Sequence, residues 1–208
     1  MMRESLGTSC PEDGIPSLPP LFSVRGSWDS LQGGLHEKSA VLVPFFPSEG
    51  RIRVLFLRRS RRLTRHGGEI CFPGGMRETA DVSPLDTALR ETREETGIPP
   101  EAVTPVMALP PDFTVVTGLA VYPILGVVRG IDPGRDVTIS PEEVDGVCLA
   151  DICSFPEFPR RKNIRSSGKP LSYPEYDLED GSVIWGVTAR ILETALAVVR
   201  GGTFRWPS

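Results

Sequence analysis

Glu91, Glu94 and Glu95 stand close together in the stretch RETREETGI, residues 90–98. On a helix turning roughly 100° per residue they share an arc of roughly 100°. Glu91 lies three positions before Glu94 and four before Glu95, so each of those pairs repels by a few tenths of a kcal/mol. The cluster also sits toward the helix C-terminus, where the macrodipole disfavours anions. Arg90 can pair with Glu94 four positions on, but one guanidinium does not neutralise the group. A hard divalent cation does. Carboxylate oxygens at this spacing suit Mg²⁺ or Mn²⁺, and Mg²⁺ commonly shares its site with substrate phosphates. A bare E-x-x-E-E also describes a solvated acidic face, so the flanking residues carry weight: Arg90 precedes the first glutamate, Gly97 follows the last, and Pro73-Gly74-Gly75 lies upstream.

Other side chains have two readings each. Arg58, Arg59, Arg61, Arg62 and Arg65 form a run that suits the phosphates of a nucleotide, or equally a solvated strand end. His66 follows that run as a candidate general base or a surface hydrogen-bonder. Glu69 reads as a metal-reaching carboxylate or a solvent-facing one. Gly74 and Gly75 permit a tight turn and close backbone approach to a ligand.

The elements that must position these residues are legible in the surrounding pattern. SPLDTALRETREETG reads as a helix, with Ser83 as its cap, Pro84 in its first turn and Gly97 just past its end. Leu85, Ala88, Leu89, Thr92 and Thr96 gather on its core side, with the glutamates on another side. SAVLVPFF (39–46) and RIRVLFLRR (51–59) read as strands joined by a Pro-Ser-Glu-Gly turn. EICF is a third short extended piece. VTPVMAL, LAVYPILGVV, VTIS and VDGVCLAD are further strands, and 183–199 reads as a closing helix ended by Gly201-Gly202. Trp185, on that helix, reads as a packing residue. Strands on both sides of one central helix, with a second helix at the end, imply a mixed α/β layer structure. Residues 1–20, rich in Pro, Ser and Gly, are expected to be disordered ahead of one domain over 21–208, with a short amphipathic helix in LFSVRGSWDSL.

A chain of 208 residues with a net charge of −4 gives no electrostatic case for nucleic-acid binding. No apolar run approaches the roughly 20 residues of a membrane span. The N-terminus lacks the apolar core of a signal peptide. Cys10, Cys71, Cys148 and Cys153 have no paired spacing, which argues against a disulfide framework or a zinc site. A reducing, cytoplasmic setting is the expectation, and a homodimer is allowed.

On these residues the chain resembles the Nudix hydrolases, whose signature is G-x5-E-x7-R-E-U-x-E-E-x-G-U, U being a bulky aliphatic residue. RETREETGI matches its second half, with Thr92 at the first aliphatic position. Gly75 to Arg90 is one residue longer than the standard spacing, and the usual glutamate falls where Glu78 and Asp81 stand. The chain also resembles the coenzyme A pyrophosphatase subgroup. LFLRRSRRLTRHGGEICFPGG gives Leu55, Arg59, Ser60, Gly68, Phe72, Pro73, Gly74 and Gly75 in register with L-L-T-x-R-S-x3-R-x3-G-x3-F-P-G-G. Leu57 and Thr64 depart from that pattern, with Arg65 next to the second departure. TALRE (87–91), the EVxxV…L strand (143–149) and IWGVTARIL (184–192) add to the likeness.

The resemblance implies a Nudix α/β/α sandwich, a mixed β-sheet between helices. It implies Mg²⁺- or Mn²⁺-dependent hydrolysis of a nucleoside diphosphate linked to another moiety, a small-molecule nucleotide. Coenzyme A, cut to 3′,5′-ADP and 4′-phosphopantetheine, is the leading substrate. Glu91, Glu94 and Glu95 would hold the metals, with the Gly75 carbonyl as a further ligand, and Arg90 would orient a glutamate. Glu143 would assist the metals or the water. Arg59, Ser60, Gly74 and Arg65 would meet the substrate. ADP-ribose, NADH and an oxidised nucleoside triphosphate are alternative substrates. A non-catalytic Nudix-fold binding module is a further alternative, but it would be expected to have lost a signature glutamate.

Overall fold

The computed structural model describes residues 26–28, 38–64, 66–115, 117–166 and 169–201. The proposed N-terminal disorder, and most of the helix expected in LFSVRGSWDSL, lie outside these residues. Strands β1 (Lys38–Ser48) and β2 (Arg51–Arg59) form an antiparallel hairpin. Its turn residues Glu49 and Gly50 both have positive φ, 49° and 72°. That turn geometry matches the natural twist of paired strands, and glycine adopts it freely.

The hairpin then splits. β1 faces β2 only over Phe45–Ser48. Beyond that, β2 pairs with β3 (Ile70–Cys71) and β1 with β4 (Gly74–Met76), so residues 70–76 are wedged between two diverging strands. On its other edge β1 runs parallel to β7 (Ala120–Val128). The far edge of β7 takes β5 (Val103–Ala108) and the short β6 (Asp112–Phe113), both antiparallel. β8 (Val144–Asp151) closes the opposite side against β2. The parallel pair among antiparallel neighbours makes the sheet mixed.

Two helices cover it. Side chains alternate across a strand, so Leu42, Leu55 and Leu57 face one way, with Ala88 of helix α1 (Pro84–Thr96) and Ile98 just beyond it. Val43, Phe45, Val54 and Phe56 face the other way, against Ile191, Leu192 and Leu196 of helix α2 (Gly186–Arg200). This is the α/β/α sandwich expected from the sequence. Beside α2 lies a small antiparallel sheet of β9 (Arg160–Ser166), β10 (Lys169–Asp177) and β11 (Val183–Ile184). No helix among the described residues is long and apolar enough to cross a membrane.

Helix α1 begins and ends where its caps dictate. Ser83 is extended at φ −140°, and its hydroxyl accepts from the Asp86 N–H at 3.2 Å while Asp86 accepts from the Ser83 N–H at 2.8 Å. Gly97 stops the helix at φ 71°, its N–H bonded to the Arg93 carbonyl.

Two expected elements are corrected. VTIS is not a strand. Its backbone instead serves the end of α1: Thr138 N–H bonds the Thr96 carbonyl at 3.0 Å and Ser140 N–H the Glu95 carbonyl at 3.3 Å. The closing helix begins at Gly186 rather than 183, because Val183 and Ile184 pair with β10 and Trp185 is extended at φ −146°.

Candidate active site

The β3–β4 wedge delivers Gly74 and Gly75 directly against the glutamate side of α1. Alternation puts Gly75 on the α1 face of the sheet. A Cβ there would collide with the Glu91 carboxylate, so only glycine lets the two elements close. Gly74 adopts φ 152°, and its N–H donates to Glu95 Oε2 at 2.9 Å. Glu95 is therefore buried, 4% exposed, rather than part of an outward acidic face. Glu91 is half-buried and Glu94 exposed.

Arg90 knits the group together. Its Nε and Nη2 grip the two oxygens of Asp81 at 3.2 and 3.0 Å, a fork matched to a carboxylate. Nη2 also donates to the Met76 carbonyl at 2.9 Å and lies 3.1 Å from Glu91 Oε1, while Nη1 donates to Glu94 Oε2 at 3.0 Å. Arg90 thus orients two glutamates of the three, and these carboxylate contacts hold its own pKa above the ordinary value.

Asp81 is the anchor that sequence reasoning left unassigned. It is buried and takes two further hydrogen bonds, from Thr87 Oγ1 at 2.8 Å and the Glu78 N–H at 2.9 Å. Burial alone raises its pKa, but hydrogen bonds from Arg90, Glu78 and Thr87 outweigh this and hold it below the usual carboxylate range. Glu78 stays outside, 3.7 Å from Arg90. The signal was the residue added between Gly75 and Arg90, which leaves an acid free to turn inward.

Electrostatically the cluster is under tension. Burial raises the Glu91 pKa, Glu94 and Glu143 raise it further, and Arg90 opposes them. Glu95 is pushed up to about 8, first by burial and then by the charges of Glu91 and Glu143, against the Gly74 hydrogen bond and Arg59. Glu143 is exposed, yet its charge reaches both. The connection from β7 to β8 brings it there. Residues 138–140 dock on the end of α1, the Glu143 N–H returns to Ser140, and the Glu143 carbonyl accepts from Ser60 N–H at 2.8 Å.

The arginine run does not act as a unit. Arg58 projects to the α2 face and pairs with Asp180 at 2.6 Å. Arg59 projects to the α1 face, where its charge acts on Cys71 and Glu95; its Nε is buried without a hydrogen-bond partner among the described residues. Burial pushes the Cys71 thiol up to about 12, so it is an inert neighbour of the site. Ser60 is fully buried, its hydroxyl engaged with Asp145 and the Arg62 N–H. A bulge in β8 opposite Arg58 and Arg59 frees Asp145 to cap this turn, accepting from the Arg61 N–H at 3.0 Å. Arg65 lies outside the described residues. His66 Nδ1 meets Glu69 at 3.1 Å, both toward solvent.

Among the described residues no three acidic, His or Cys side chains already converge as a closed metal cage. Arg90 and the Gly74 N–H hold the three glutamates apart. The donor set nevertheless fits a hard divalent cation. Each glutamate has one oxygen engaged, leaving Glu91 Oε2, Glu94 Oε1 and Glu95 Oε1 without a further protein partner among the described residues. Neighbouring carboxylate charges also raise the pKa values of Glu91 and Glu95, which a bound cation would reverse.

A sandwich of this topology, with a capped glutamate helix set against a Gly-Gly wedge, defines a Nudix domain. The NUDIX domain family matches residues 36–171, and the chain belongs to that family. The chain is 36% identical over 175 residues to Nudix hydrolase 22, chloroplastic, of Arabidopsis thaliana, covering 78% of this chain and 55% of that protein. It is 40% identical over 167 residues to the uncharacterized Nudix hydrolase NudL of Escherichia coli O7:K1, covering 78% of this chain and 83% of that one. The chain thus spans about half the length of the Arabidopsis relative and most of the length of the bacterial one. A MutT/nudix family protein from Enterococcus faecalis superimposes with a TM-score of 0.51 at 13% identity, over 82% of this chain and 64% of that one, a likeness of fold. Nudix enzymes generally use divalent metal ions.

Proposed function

We propose that this chain hydrolyses the diphosphate of a nucleoside diphosphate linked to another group, and that coenzyme A or a derivative is the substrate. The observation that carries the reaction class is the set of glutamate oxygens left open around Gly74-Gly75, with Arg90 fixed behind them by Asp81. Glu91, Glu94 and Glu95, with the Gly75 carbonyl, would hold Mg²⁺ or Mn²⁺. Such ions offset charge on the non-bridging oxygens and lower the pKa of bound water. Arg90 orients Glu91 and Glu94. The Glu143 carboxylate, exposed beside the cluster, receives the proton of the attacking water. Gly74 and Gly75 let the backbone approach the diphosphate. Arg59 keeps a cation against Glu95, Ser60 holds the turn that carries the arginines, and Arg65 would meet substrate phosphate.

Support for coenzyme A is the register of LFLRRSRRLTRHGGEICFPGG together with IWGVTARIL. Leu57, where the chain departs from the subgroup pattern, is fully buried in the α1-side core. The products would be 3′,5′-ADP and 4′-phosphopantetheine. The test is a screen with Mg²⁺ and Mn²⁺ over coenzyme A, ADP-ribose, NADH and nucleoside triphosphates, with products identified by mass. Preference for ADP-ribose would remove the coenzyme A assignment. No turnover of any substrate would remove the hydrolase reading.

A further inference from the structure

We propose that Arg77, braced on the Trp28 ring beside β4, is the cation that receives the phosphoryl group next to the one held at the glutamates. The inference rests on the diphosphate reading above. Arg77 continues the β4 ladder, its N–H bonded to the Lys38 carbonyl at 3.0 Å. It is two residues beyond Gly75, so it shares Gly75's face of the sheet and lies about 6–7 Å further along the strand. That face is the one on which the Glu91 carboxylate sits. A diphosphate with one phosphoryl group at the glutamates would therefore extend its neighbour toward Arg77.

The side chain is built to wait there. Its guanidinium carbon is 5.6 Å from the Trp28 ring centroid, and the Lys38 ammonium lies over the same ring at 5.7 Å. Trp28 is itself fully buried and packed edge-on against Tyr122 at 5.0 Å, with its backbone N–H bonded to the Val82 carbonyl. A guanidinium held over an indole by cation–π attraction, with no carboxylate partner, keeps its N–H groups available for an anion. Arg77 is exposed and forms no ion pair among the described residues. Of the other cations near the cluster, Arg58 is committed to Asp180 and Arg90 to Asp81 and two glutamates, while Arg59 acts by its charge on Cys71 and Glu95. Arg61 and Arg62 are exposed on the turn after β2 and are the alternative receivers.

The experiment compares wild type, Arg77→Gln, Arg77→Lys and the double variant Arg61→Gln/Arg62→Gln. Binding of methylenediphosphonate, an uncleavable diphosphate, is measured by calorimetry with Mg²⁺ present. The rise in Tm with Mn²⁺ alone and the steady-state constants are measured alongside. Arg77→Gln is expected to weaken diphosphonate binding and raise KM by about tenfold or more, the loss of a charge-assisted contact, with kcat and the Mn²⁺ effect close to wild type. Arg77→Lys should recover part of the binding, and the double variant should keep it. Wild-type binding by Arg77→Gln, or binding lost only in the double variant, overturns the proposal. So does loss of the Mn²⁺ effect in Arg77→Gln, which would make the residue structural. A wild type that binds the diphosphonate through Arg77 yet cleaves no nucleoside diphosphate fails the hydrolase reading and upholds this one.

Discussion

Folding places the Glu95 carboxyl under Gly74, and burial with the Glu91 and Glu143 charges pushes its pKa to about 8 from an ordinary 4.5. The native state then binds this proton more tightly than the unfolded chain does. Between those two values the unfolded chain carries fewer protons, so stability falls as pH rises. The contribution is complete below about 4.5 and lost as pH passes through about 8. Tm measured in a chelator from pH 5 to 9 should therefore decline on the alkaline side, and Glu95→Gln should flatten that decline. An unchanged slope in the variant would place the titration elsewhere. Glu94 poses the complementary case. It is exposed and, among the described residues, held only by Arg90, so Glu94→Gln should leave stability within about 0.5 kcal/mol of wild type, as surface changes do. It should nonetheless cut turnover by orders of magnitude, because an oxygen proposed to face the metal is lost. If Glu94→Gln and Glu95→Gln both keep wild-type turnover, the metal assignment is wrong. That the glutamates gather on one side of α1 was legible from their spacing; which of them would be buried was not, since that depends on a glycine N–H 21 residues earlier in the chain.

At the scale of elements, α1 is specified at both ends by local chemistry, and this is why its bounds could be read in advance. Ser83→Ala removes the hydroxyl that accepts the Asp86 N–H and donates to its carboxylate, which should cost about 1 kcal/mol. A denaturant titration with unchanged slope and a lower midpoint would confirm this, and an unaltered midpoint would deny the cap its role. The segment 137–140 was illegible for the opposite reason. Val137, Thr138 and Ile139 have strand-forming side chains, but the Thr138 and Ser140 N–H groups go to the carbonyls at the end of α1, which no local pattern reveals. That misread segment matters to the site, since it ties the α1 terminus to the turn carrying Glu143. The hairpin of β9 and β10 was also missed, its RRKNIR run offering no apolar alternation and its prolines arguing against strands. Its charges pair across the hairpin itself, Arg160 with Asp177 at 2.7 Å and Lys162 with Glu175 at 3.6 Å, and also outside it, Arg161 with Glu193 of α2 at 2.7 Å.

Across the whole molecule, cation binding and fold stability are one equilibrium. An ion that binds the native cluster better than the unfolded chain stabilises by about 2.7 kcal/mol at a hundred times its Kd. For a domain of this size each kcal/mol moves Tm by about 2–4 °C. Mg²⁺ or Mn²⁺ at saturation should thus raise Tm by roughly 5–10 °C, by the product of those two figures. The rise should shrink sharply in Glu95→Gln, and an indifferent Tm would count against a preformed site.

The same molecule-wide placement decides what Arg59 does. Sequence register alone set it to meet the substrate. The sandwich sets it beneath the α1 face instead, against Cys71 and within the field of Glu95, with its Nε buried. Removing it leaves a buried carboxylate with one cation fewer, whatever the substrate carries at its far end. Arg59→Ala should therefore lower kcat/KM on coenzyme A and on dephospho-coenzyme A by similar factors. Measuring kcat/KM for both substrates with both proteins gives the coupling directly. A loss on coenzyme A exceeding that on dephospho-coenzyme A by about tenfold, the worth of one charge-assisted contact, would return Arg59 to the substrate. Equal losses would confine it to holding the cluster on which the reaction depends.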